Sequence, residues 1–409
     1  METFEQIVER EKQYLLQTYA RYPVALASGK GVYVQDVAGR KYLDLVGGLG
    51  VHALGHAHKR IVKVIREQCG RLIHVSNLYY NEYQGRLGEK LCKLAAMDRA
   101  FFANSGTEAN EGAIKAARAA GHAIGGEGKC KLFAVEGSFH GRTFGALSLT
   151  AGEKYRKDFA PLLEDVQFIK LNDVDDLYSK IDDQACALVI EPIQGEGGIR
   201  ECTQEFLQEA RNVTTRHRAA LIFDEIQCGL GRTGSMFAFQ SAGVSPDIVT
   251  VAKPLAAGLP LGAFLMRGEY ASAIGTGKHG TTFGGGPLAC RVALEFLTVI
   301  EEEGLLENVR KVGAYLTSEL NRTRLDFDVV REVRGRGMMQ AIELSVPARP
   351  FVDAAIRKGL LINATQDVVL RLLPPFLLEE KHVDKAMRVL RKLLANRPVD
   401  MAAHSRTAV

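Results

Sequence analysis

The chain has 409 residues, of which 46% are hydrophobic and 24% are charged, and its formal net charge is +4. This composition is typical of a folded globular protein with two or three structural units and excludes a disordered or fibrous chain. The small net charge, with no block of Lys and Arg, argues against a nucleic acid as partner.

The predicted elements begin with a short segment and continue into a large α/β domain. Residues 1–57 start with apolar side chains at helical spacing and become extended through Gly31–Val37. In residues 58–304, helical segments alternate with short apolar runs, a pattern typical of a mostly parallel sheet. These runs are Lys131–Val135, Ala187–Ile190, Ala220–Phe223 and Ile248–Val251. We therefore assign residues 58–304 to one large domain built around that sheet.

The remainder of the chain predicts a second, smaller domain. Residues 305–395 repeat a helix-and-strand pattern and end in the amphipathic segment Glu380–Leu394. We expect residues 1–57 to contribute to this smaller α+β domain, so that it is assembled from both ends of the chain. Residues 396–409 are aperiodic and are predicted to be disordered.

Ser105-Gly106-Thr107-Glu108 marks the beginning of a helix in the large domain. The motif follows the apolar run Ala100–Ala103, and Ser105 with Glu108 fits a capping box. Free backbone N–H groups at a helix start, beside a glycine that lets a ligand approach, can bind a phosphate group. Taken alone, the motif is better explained as an ordinary helix cap.

Two of the predicted strands end in a charged residue. Asp224 follows Leu221–Phe223, and Lys253 follows Ile248–Ala252. Because the carboxyl ends of parallel strands face the ligand crevice of such a sheet, both side chains could act on a ligand there. A desolvated lysine amine can react with an aldehyde and carry protons, as enzymes that use pyridoxal 5′-phosphate (PLP) require. Each residue also has an ordinary explanation, as a turn-capping aspartate or a solvated lysine.

These motifs and their order resemble the PLP-dependent aminotransferases of fold type I, class III, and most closely the acetylornithine and ornithine group. The resemblance covers nearly the whole chain. Its motifs are Tyr22-Pro23, Leu54-Gly55-His56, Ser76–Tyr80, Ser105–Asn110, Phe139–Thr143, Glu191–Gly198, Asp224–Gln227, Lys253 and His279–Gly285. Each motif is weak by itself, but their ordered coincidence is highly specific.

The resemblance implies PLP as cofactor and assigns residues to it. Lys253 would hold the cofactor and shuttle protons, and Asp224 would pair with the nitrogen of its ring. The other implied contacts are the backbone N–H groups of Gly106 and Thr107 and the Thr282 hydroxyl of a neighbouring subunit at the phosphate, the stacked Phe139 ring, the Gln227 amide at the ring hydroxyl, and also Ser105 and His140. The site would therefore be shared between the two subunits of a homodimer.

The resemblance also implies the substrates. Arg142 and Arg371 would each bind a substrate carboxylate, because a planar guanidinium can hold a carboxylate through two hydrogen bonds. In the family, the glutamate at position 196 pairs with the arginine at position 371 while a terminal amine reacts, and it swings away when 2-oxoglutarate arrives. Without the resemblance, Arg371 would be an exposed charge on a strand.

The implied reaction is transfer of the terminal amine of N-acetylornithine to 2-oxoglutarate, giving the semialdehyde and glutamate, a step of arginine biosynthesis. His52 and Gly286 stand where the group usually carries asparagine. These departures leave other donors open, namely 4-aminobutyrate, ornithine, succinylornithine and succinyl-diaminopimelate.

Two further function classes are compatible with parts of the sequence. Gly229–Gly234 matches the GxGxxG pattern of nicotinamide-dependent oxidoreductases, but it does not open an amphipathic helix, and no acidic residue follows at the required distance. A non-catalytic PLP-binding scaffold would keep the same fold, although Lys253 and Asp224 argue against it. No metal is expected, because His52, His56 and His58 have no suitable fourth ligand.

The cysteines and the N-terminus predict where the protein functions. The seven cysteines are widely spaced and form no CxxC pair, which favours free thiols in a reducing compartment. The N-terminus lacks the order of a signal peptide, and no apolar run approaches the length of a membrane span. We therefore expect a cytoplasmic protein with no membrane partner.

Overall fold

The computed structural model describes residues 2–397. Its helices are α1 Phe4–Tyr14, α2 Gly47–Gly50, α3 Lys59–Cys69, α4 Gln84–Ala95, α5 Gly106–Gly125, α6 Phe144–Ser148, α7 Glu153–Arg156 followed by a 3₁₀ turn Lys157–Phe159, α8 Val174–Lys180, α9 Gln204–Arg216, α10 Ala238–Ala242, α11 Gly268–Ala271, α12 Pro287–Glu302, α13 Leu305–Asp326, α14 Arg349–Arg357 and α15 Glu380–Ala395. The predicted disordered tail lies outside the described residues except for its first two positions.

The strands fall into three larger sheets and a two-stranded ribbon. They are β1 Leu26–Lys30, β2 Tyr33–Asp36, β3 Lys41–Asp44, β4 Arg99–Ala103, β5 Lys131–Val135, β6 Val166–Ile169, β7 Ala185–Ile190, β8 Ile193–Gln194, β9 Arg200–Glu201, β10 Ala220–Asp224, β11 Ile248–Val251, β12 Gly262–Met266, β13 Val330–Arg336, β14 Met339–Leu344, β15 Leu360–Leu361, β16 Asn363–Thr365 and β17 Val369–Leu372. All four apolar runs that predicted strands are strands.

A seven-stranded sheet in the order β4-β12-β11-β10-β7-β5-β6 forms the centre of the molecule. The five strands from β11 to β6 are parallel to one another, whereas β12 is antiparallel to both of its neighbours. The prediction of an α/β fold with a mostly parallel sheet is therefore confirmed. The antiparallel β12 was not predicted, because all five of its residues are buried and give no alternation of polar and apolar side chains.

Helices cover both faces of this sheet. Ala220 and Ile222 of β10 pack in one apolar cluster with residues of α5, and Leu221 and Phe223 pack in another with residues of α9. Successive side chains of a strand point to opposite faces, so the two clusters lie on the two sides of the sheet. Every residue of β10 is consequently buried, and only its carboxyl end reaches a ligand crevice.

Two four-stranded sheets accompany the central one. β13, β14, β17 and β16 form one of them, and β1, β2, β3 and β15 form the other. Leu360 of β15 pairs in parallel with Leu43 of β3, so the two ends of the chain share a sheet. The predicted amphipathic segment forms α15, which buries Val383 and Met387. The domain boundaries after residues 57, 304 and 395 stay a prediction.

The beginning of α5 differs in one detail from the predicted capping box. The Ser105 hydroxyl accepts a hydrogen bond from the Glu108 N–H (3.3 Å), as expected. The Glu108 carboxylate, however, accepts from the backbone and side-chain N–H groups of Asn104 at 2.9 and 2.8 Å instead of from Ser105. The box is therefore only half formed, because Asn104 offers Glu108 two donors at once.

Within residues 2–397, no helix is both long and apolar enough to cross a membrane.

Candidate active site

A cavity of about 370 Å³ opens at the carboxyl ends of β10 and β11. This size lies within the usual range for small-molecule sites, roughly 300–1,000 Å³. Of the twelve residues predicted for the site, ten line the cavity, namely Ser105, Gly106, Thr107, Phe139, His140, Arg142, Glu196, Asp224, Gln227 and Lys253. Arg371 lies behind Glu196, and Thr282 lies elsewhere.

Lys253 lies two residues beyond the end of β11. Burial lowers the pKa of its amine, and the carboxylates of Asp224 and Glu196 oppose that shift only in part. Across residues 2–397, no protein atom forms a hydrogen bond or an ion pair with this amine. A partly buried amine with a lowered pKa and no fixed partner is suited to react with an aldehyde.

Asp224 ends β10 and is almost fully buried, with 3% of its surface exposed. One carboxylate oxygen accepts hydrogen bonds from the Asn110 amide and from the Nδ1–H of His140, both at 2.8 Å. The other oxygen accepts from the Ile226 N–H at 3.0 Å. Three donors therefore hold the carboxylate in one orientation at the base of the cavity, where it can pair with a positively charged ring.

The first turn of α5 forms one wall of the cavity. The N–H groups of Gly106 and Thr107 have no acceptor in the described part of the chain, as is usual for the first residues of a helix. A Cβ atom at position 106 would lie 2.8 Å from Cδ1 of Ile226, so a larger residue there would force the Ile226 side chain to shift. Gly141, at φ +144°, brings the Phe139–Thr143 segment against the Thr107 hydroxyl. These free N–H groups suit a phosphate.

Glu191 is a cavity residue for which the sequence analysis gave no role. Its two carboxylate oxygens accept hydrogen bonds from the Phe139 N–H and the Gly195 N–H, each at 2.9 Å. Burial raises its pKa to about 7; the charge of His140 lowers it and that of Asp224 raises it further. Glu191 directly follows β7, so the strand-end argument that identified Asp224 and Lys253 could have identified it as well.

Arg371 and Glu196 form a buried ion pair beside the cavity. Arg371 is 1% exposed, and its Nη1 donates to Glu196 Oε1 at 2.7 Å and to the Gln227 amide oxygen at 3.3 Å. Burial raises the pKa of Glu196, but the charge and hydrogen bond of Arg371 outweigh it, and the pKa is lower than usual. The alternative interpretation of Arg371 as an exposed strand charge is therefore wrong.

Two of the predicted site residues, Arg142 and Thr282, are exposed. Arg142 lines the rim of the cavity, and its guanidinium contacts no carboxylate among the residues described. Thr282 is also exposed and borders a different surface depression with His279 and Phe283. Thr282 therefore does not reach the cavity of its own chain.

The motifs that suggested other functions have structural roles. Gly229–Gly234 forms turns rather than the start of a helix, and the buried Arg232 within it donates to the backbone oxygens of Gly50 and Met338. His56 pairs with Asp44 at 2.8 Å, and the described residues contain no His, Cys, Asp or Glu group that could hold a metal. The Gly229–Gly234 loop therefore lacks the strand-to-helix geometry that binds a dinucleotide.

The two departures from the family pattern lie outside the cavity wall. His52 packs against Gly258, where a Cβ atom would lie 3.2 Å from the imidazole. Burial, together with the neighbouring His56, lowers the pKa of His52. Gly286 precedes the proline that begins α12. Neither residue lines the cavity, although His52 contacts Gly258, which does.

Comparison with known proteins places this site in a family. The sequence profile of aminotransferase class III matches residues 15–394. The acetylornithine aminotransferase of Methanocaldococcus jannaschii is 44% identical over 383 residues, covering 94% of this chain and 96% of that protein. The acetylornithine aminotransferase of Caldanaerobacter subterraneus is 43% identical, covering 95% and 99% of the two chains.

Solved structures agree with this grouping. The ornithine aminotransferase of Toxoplasma gondii superimposes with a TM-score of 0.93 at 31% identity, covering 97% of this chain and 96% of that chain. The acetylornithine aminotransferase of Elizabethkingia anophelis gives a TM-score of 0.86 at 30% identity, covering 97% and 100%. The similarity therefore extends over both the central sheet and the smaller sheets.

Proposed function

The chain belongs to the class-III aminotransferases, which are PLP-dependent enzymes acting on small amino and keto acids, and we propose that it transfers the terminal amine of N-acetylornithine to 2-oxoglutarate. The products would be the semialdehyde and glutamate, in a step of arginine biosynthesis. Relatives named acetylornithine aminotransferase, 40–44% identical over most of their length, support this donor. The observation that carries the proposal is the Glu196–Arg371 ion pair beside Lys253.

The cavity residues fit PLP. The free N–H groups of Gly106 and Thr107 match its phosphate, and the Asp224 carboxylate, fixed by three donors, matches its ring nitrogen. Phe139 would lie against the ring, and Gln227, Ser105 and His140 would complete the surroundings. When bound, PLP supplies an electron-withdrawing ring that stabilises negative charge on the carbon bearing the transferred amine.

Lys253 would act as anchor and as base. Its lowered pKa leaves more of the amine unprotonated near neutral pH than for an ordinary lysine. The Nζ atom can then accept a proton from the donor carbon that carries the amine and release it later in the cycle. Borohydride reduction of the PLP-loaded enzyme, followed by peptide mapping, should label Lys253; an unmodified Lys253 would overturn this role.

The ion pair would decide which end of a substrate enters. While Glu196 neutralises Arg371, the buried end of the cavity presents no free cation and can receive the uncharged chain next to a terminal amine. A carboxylate of 2-oxoglutarate would compete with Glu196 for Arg371. Arg142 at the rim would bind the carboxylate of the donor. One cavity could thus serve two substrates that differ in the charge next to the reacting carbon.

A panel of donors tests the proposed substrate. The PLP-loaded enzyme should show its highest kcat/KM with N-acetylornithine, compared with ornithine, 4-aminobutyrate, succinylornithine and succinyl-diaminopimelate, with 2-oxoglutarate as acceptor. The ratio of kcat/KM values is the relevant measure, because it reports differences in transition-state binding. A higher value for any other donor would replace N-acetylornithine in the proposal.

We propose further that the enzyme is a homodimer with shared sites. Support comes from an exposed apolar surface formed by Leu78, Tyr79, Tyr80 and Phe283, and from the exposed Thr282 beside it. Mixing Lys253→Ala chains with Thr282→Val chains tests this arrangement. If Thr282 serves the neighbouring subunit, the mixed dimer regains one intact site, whereas no intact site forms if Thr282 serves its own chain.

We also propose a cytoplasmic location. All seven cysteines are free, with no disulfide in the part of the chain that the structure describes. Free thiols of this number are typical of proteins in a reducing compartment. Cell fractionation against a cytosolic marker enzyme is the direct test, and recovery outside the cytosolic fraction would refute it.

A further inference from the structure

Tyr155 lies against the guanidinium of Arg142 at the rim of the cavity. The Cζ atom of Arg142 is 4.3 Å from the centre of the Tyr155 ring and 5.3 Å from the centre of the Phe139 ring. The two rings meet edge to face, with their centres 5.7 Å apart. Arg142 therefore rests on two aromatic side chains, although it is exposed to solvent.

The local sequence fixes the position of the Tyr155 ring. Tyr155 belongs to the single turn α7, and its N–H donates to the Gly152 carbonyl at 2.9 Å. A Cβ atom on residue 152 would lie 2.8 Å from Cδ2 and 3.0 Å from Cε2 of the ring. Gly152 thus lets the ring lie over the start of the turn. Phe139 is held independently by its N–H bond to Glu191.

The rim carries two positive charges that form no ion pair with a carboxylate among the described residues. Neither Arg142 nor Lys154, whose amine is 5.1 Å from the centre of the Tyr155 ring, forms an ion pair within residues 2–397. An exposed arginine normally samples many rotamers, and binding a carboxylate would fix one of them at an entropic cost. Contact with an aromatic face restricts the guanidinium beforehand and so reduces that cost.

We propose that Tyr155 is a positioning residue that holds Arg142 ready for the donor's carboxylate. Tyr155 would then favour donors that carry a carboxylate over plain amines of the same length. The inference rests on the proposed function, because Arg142 must be the group that binds the donor's carboxylate. An exposed cation–ring contact corresponds to roughly a two- to fivefold change in binding.

The test compares two donors that differ only in that carboxylate, N-acetylornithine and N-acetylputrescine. In the PLP-loaded enzyme, Tyr155→Leu should raise KM for N-acetylornithine about two- to fivefold, with kcat and the kinetics of N-acetylputrescine unchanged. Tyr155→Phe keeps the ring and should restore the KM. Gly152→Ala displaces the ring without removing it and should raise the same KM.

Tyr178→Leu is the matched control, because Arg216 lies 5.3 Å from the centre of the Tyr178 ring in a similar contact far from the cavity. It should leave both donors unaffected. Equal losses for the two donors in Tyr155→Leu, or no change for either, would overturn the inference.

Arg142→Ala separates this inference from the proposed function. It should remove the preference for N-acetylornithine, and adding Tyr155→Leu should then have no further effect. If Arg142→Ala keeps the preference, the proposed role of Arg142 fails. If Arg142→Ala loses the preference and Tyr155→Leu keeps it, only the inference about Tyr155 fails.

Discussion

The two arginines that we propose to bind substrate carboxylates occupy opposite environments, one behind the cavity wall and one at its rim. Arg371 is buried, paired with Glu196, and further held by Gln227 and Asn363. Arg142 is exposed, rests on aromatic rings, and has no carboxylate partner among residues 2–397. On the proposed roles, a substrate carboxylate would have to displace the Glu196 carboxylate to reach Arg371 but could bind Arg142 directly. An arginine can therefore act as a conditional site, which binds a carboxylate only after its protein partner leaves, as proposed for Arg371. It can also act as an open site, which binds a carboxylate directly, as proposed for Arg142.

The largest expected effect on donor preference comes from removing Glu196 from its pair with Arg371. Glu196→Ala would leave Arg371 without its counter-charge, so glutamate should react more readily as a donor and N-acetylornithine less readily. We expect the ratio of the two kcat/KM values to fall at least about tenfold, which corresponds to about 1.4 kcal/mol. Single-turnover absorbance changes of the cofactor with each donor measure this ratio. An unchanged ratio would refute the switch.

Glu196→Ala should also lower the free energy of unfolding by up to about 3 kcal/mol, because it leaves the buried Arg371 charge unpaired. Glu201→Ala is a suitable control, since Glu201 pairs with Arg336 at the surface (3.0 Å). That pair should contribute about 1 kcal/mol or less. Urea unfolding of both variants gives the comparison.

A second prediction concerns how the free energy of unfolding depends on pH through the buried Glu191. Folded Glu191 keeps its proton up to a pKa of about 7, above the ordinary value of 4.5, because of burial. Between these values the folded state binds more protons than the unfolded state, so stability falls as the pH rises. Glu191→Gln should remove up to about 3 kcal/mol of this decline between pH 4.5 and 7. Urea unfolding at several pH values measures this difference. If the free energies of unfolding of wild type and Glu191→Gln changed in parallel with pH, Glu191 would not be the group responsible.

The smallest expected effect is the dependence of KM on salt concentration, which should distinguish the exposed Arg142 at the rim from the buried Arg371. Exposed charges are screened within about 10 Å at 0.1 M salt, whereas buried pairs are screened much less. Raising the salt concentration from about 0.05 to 0.5 M should raise KM for N-acetylornithine about two- to threefold through Arg142. N-acetylputrescine, which lacks the carboxylate, serves as control. A salt response that persists in Arg142→Ala would show that Arg142 is not its source.

The sequence predicted the framework of the site better than its details. Asp224 and Lys253 could be expected at one edge because parallel strands end together, and the glycine at position 106 marked a helix start that could bind phosphate. The burial of Arg371 could not be predicted from its strand, because a single charge in the apolar run Val369–Leu372 can face either solvent or another segment, and the sequence does not show which segment covers it. Glu191 follows the end of β7, so the strand-end argument could have identified it and was not applied to it. Tyr155 could not be identified in this way, because its role depends on contact with Arg142, which local periodicity does not record.

The pairing of β15 with β3 has a consequence for biosynthesis. The edge of β3 emerges early from the ribosome, but its parallel partner is among the last strands to be made. During translation this edge therefore stays open while the large domain folds, and open strand edges invite pairing with other chains. Fragments that end before Leu360 would keep the edge open permanently, so a nascent or truncated chain should depend on chaperones more than the finished enzyme does.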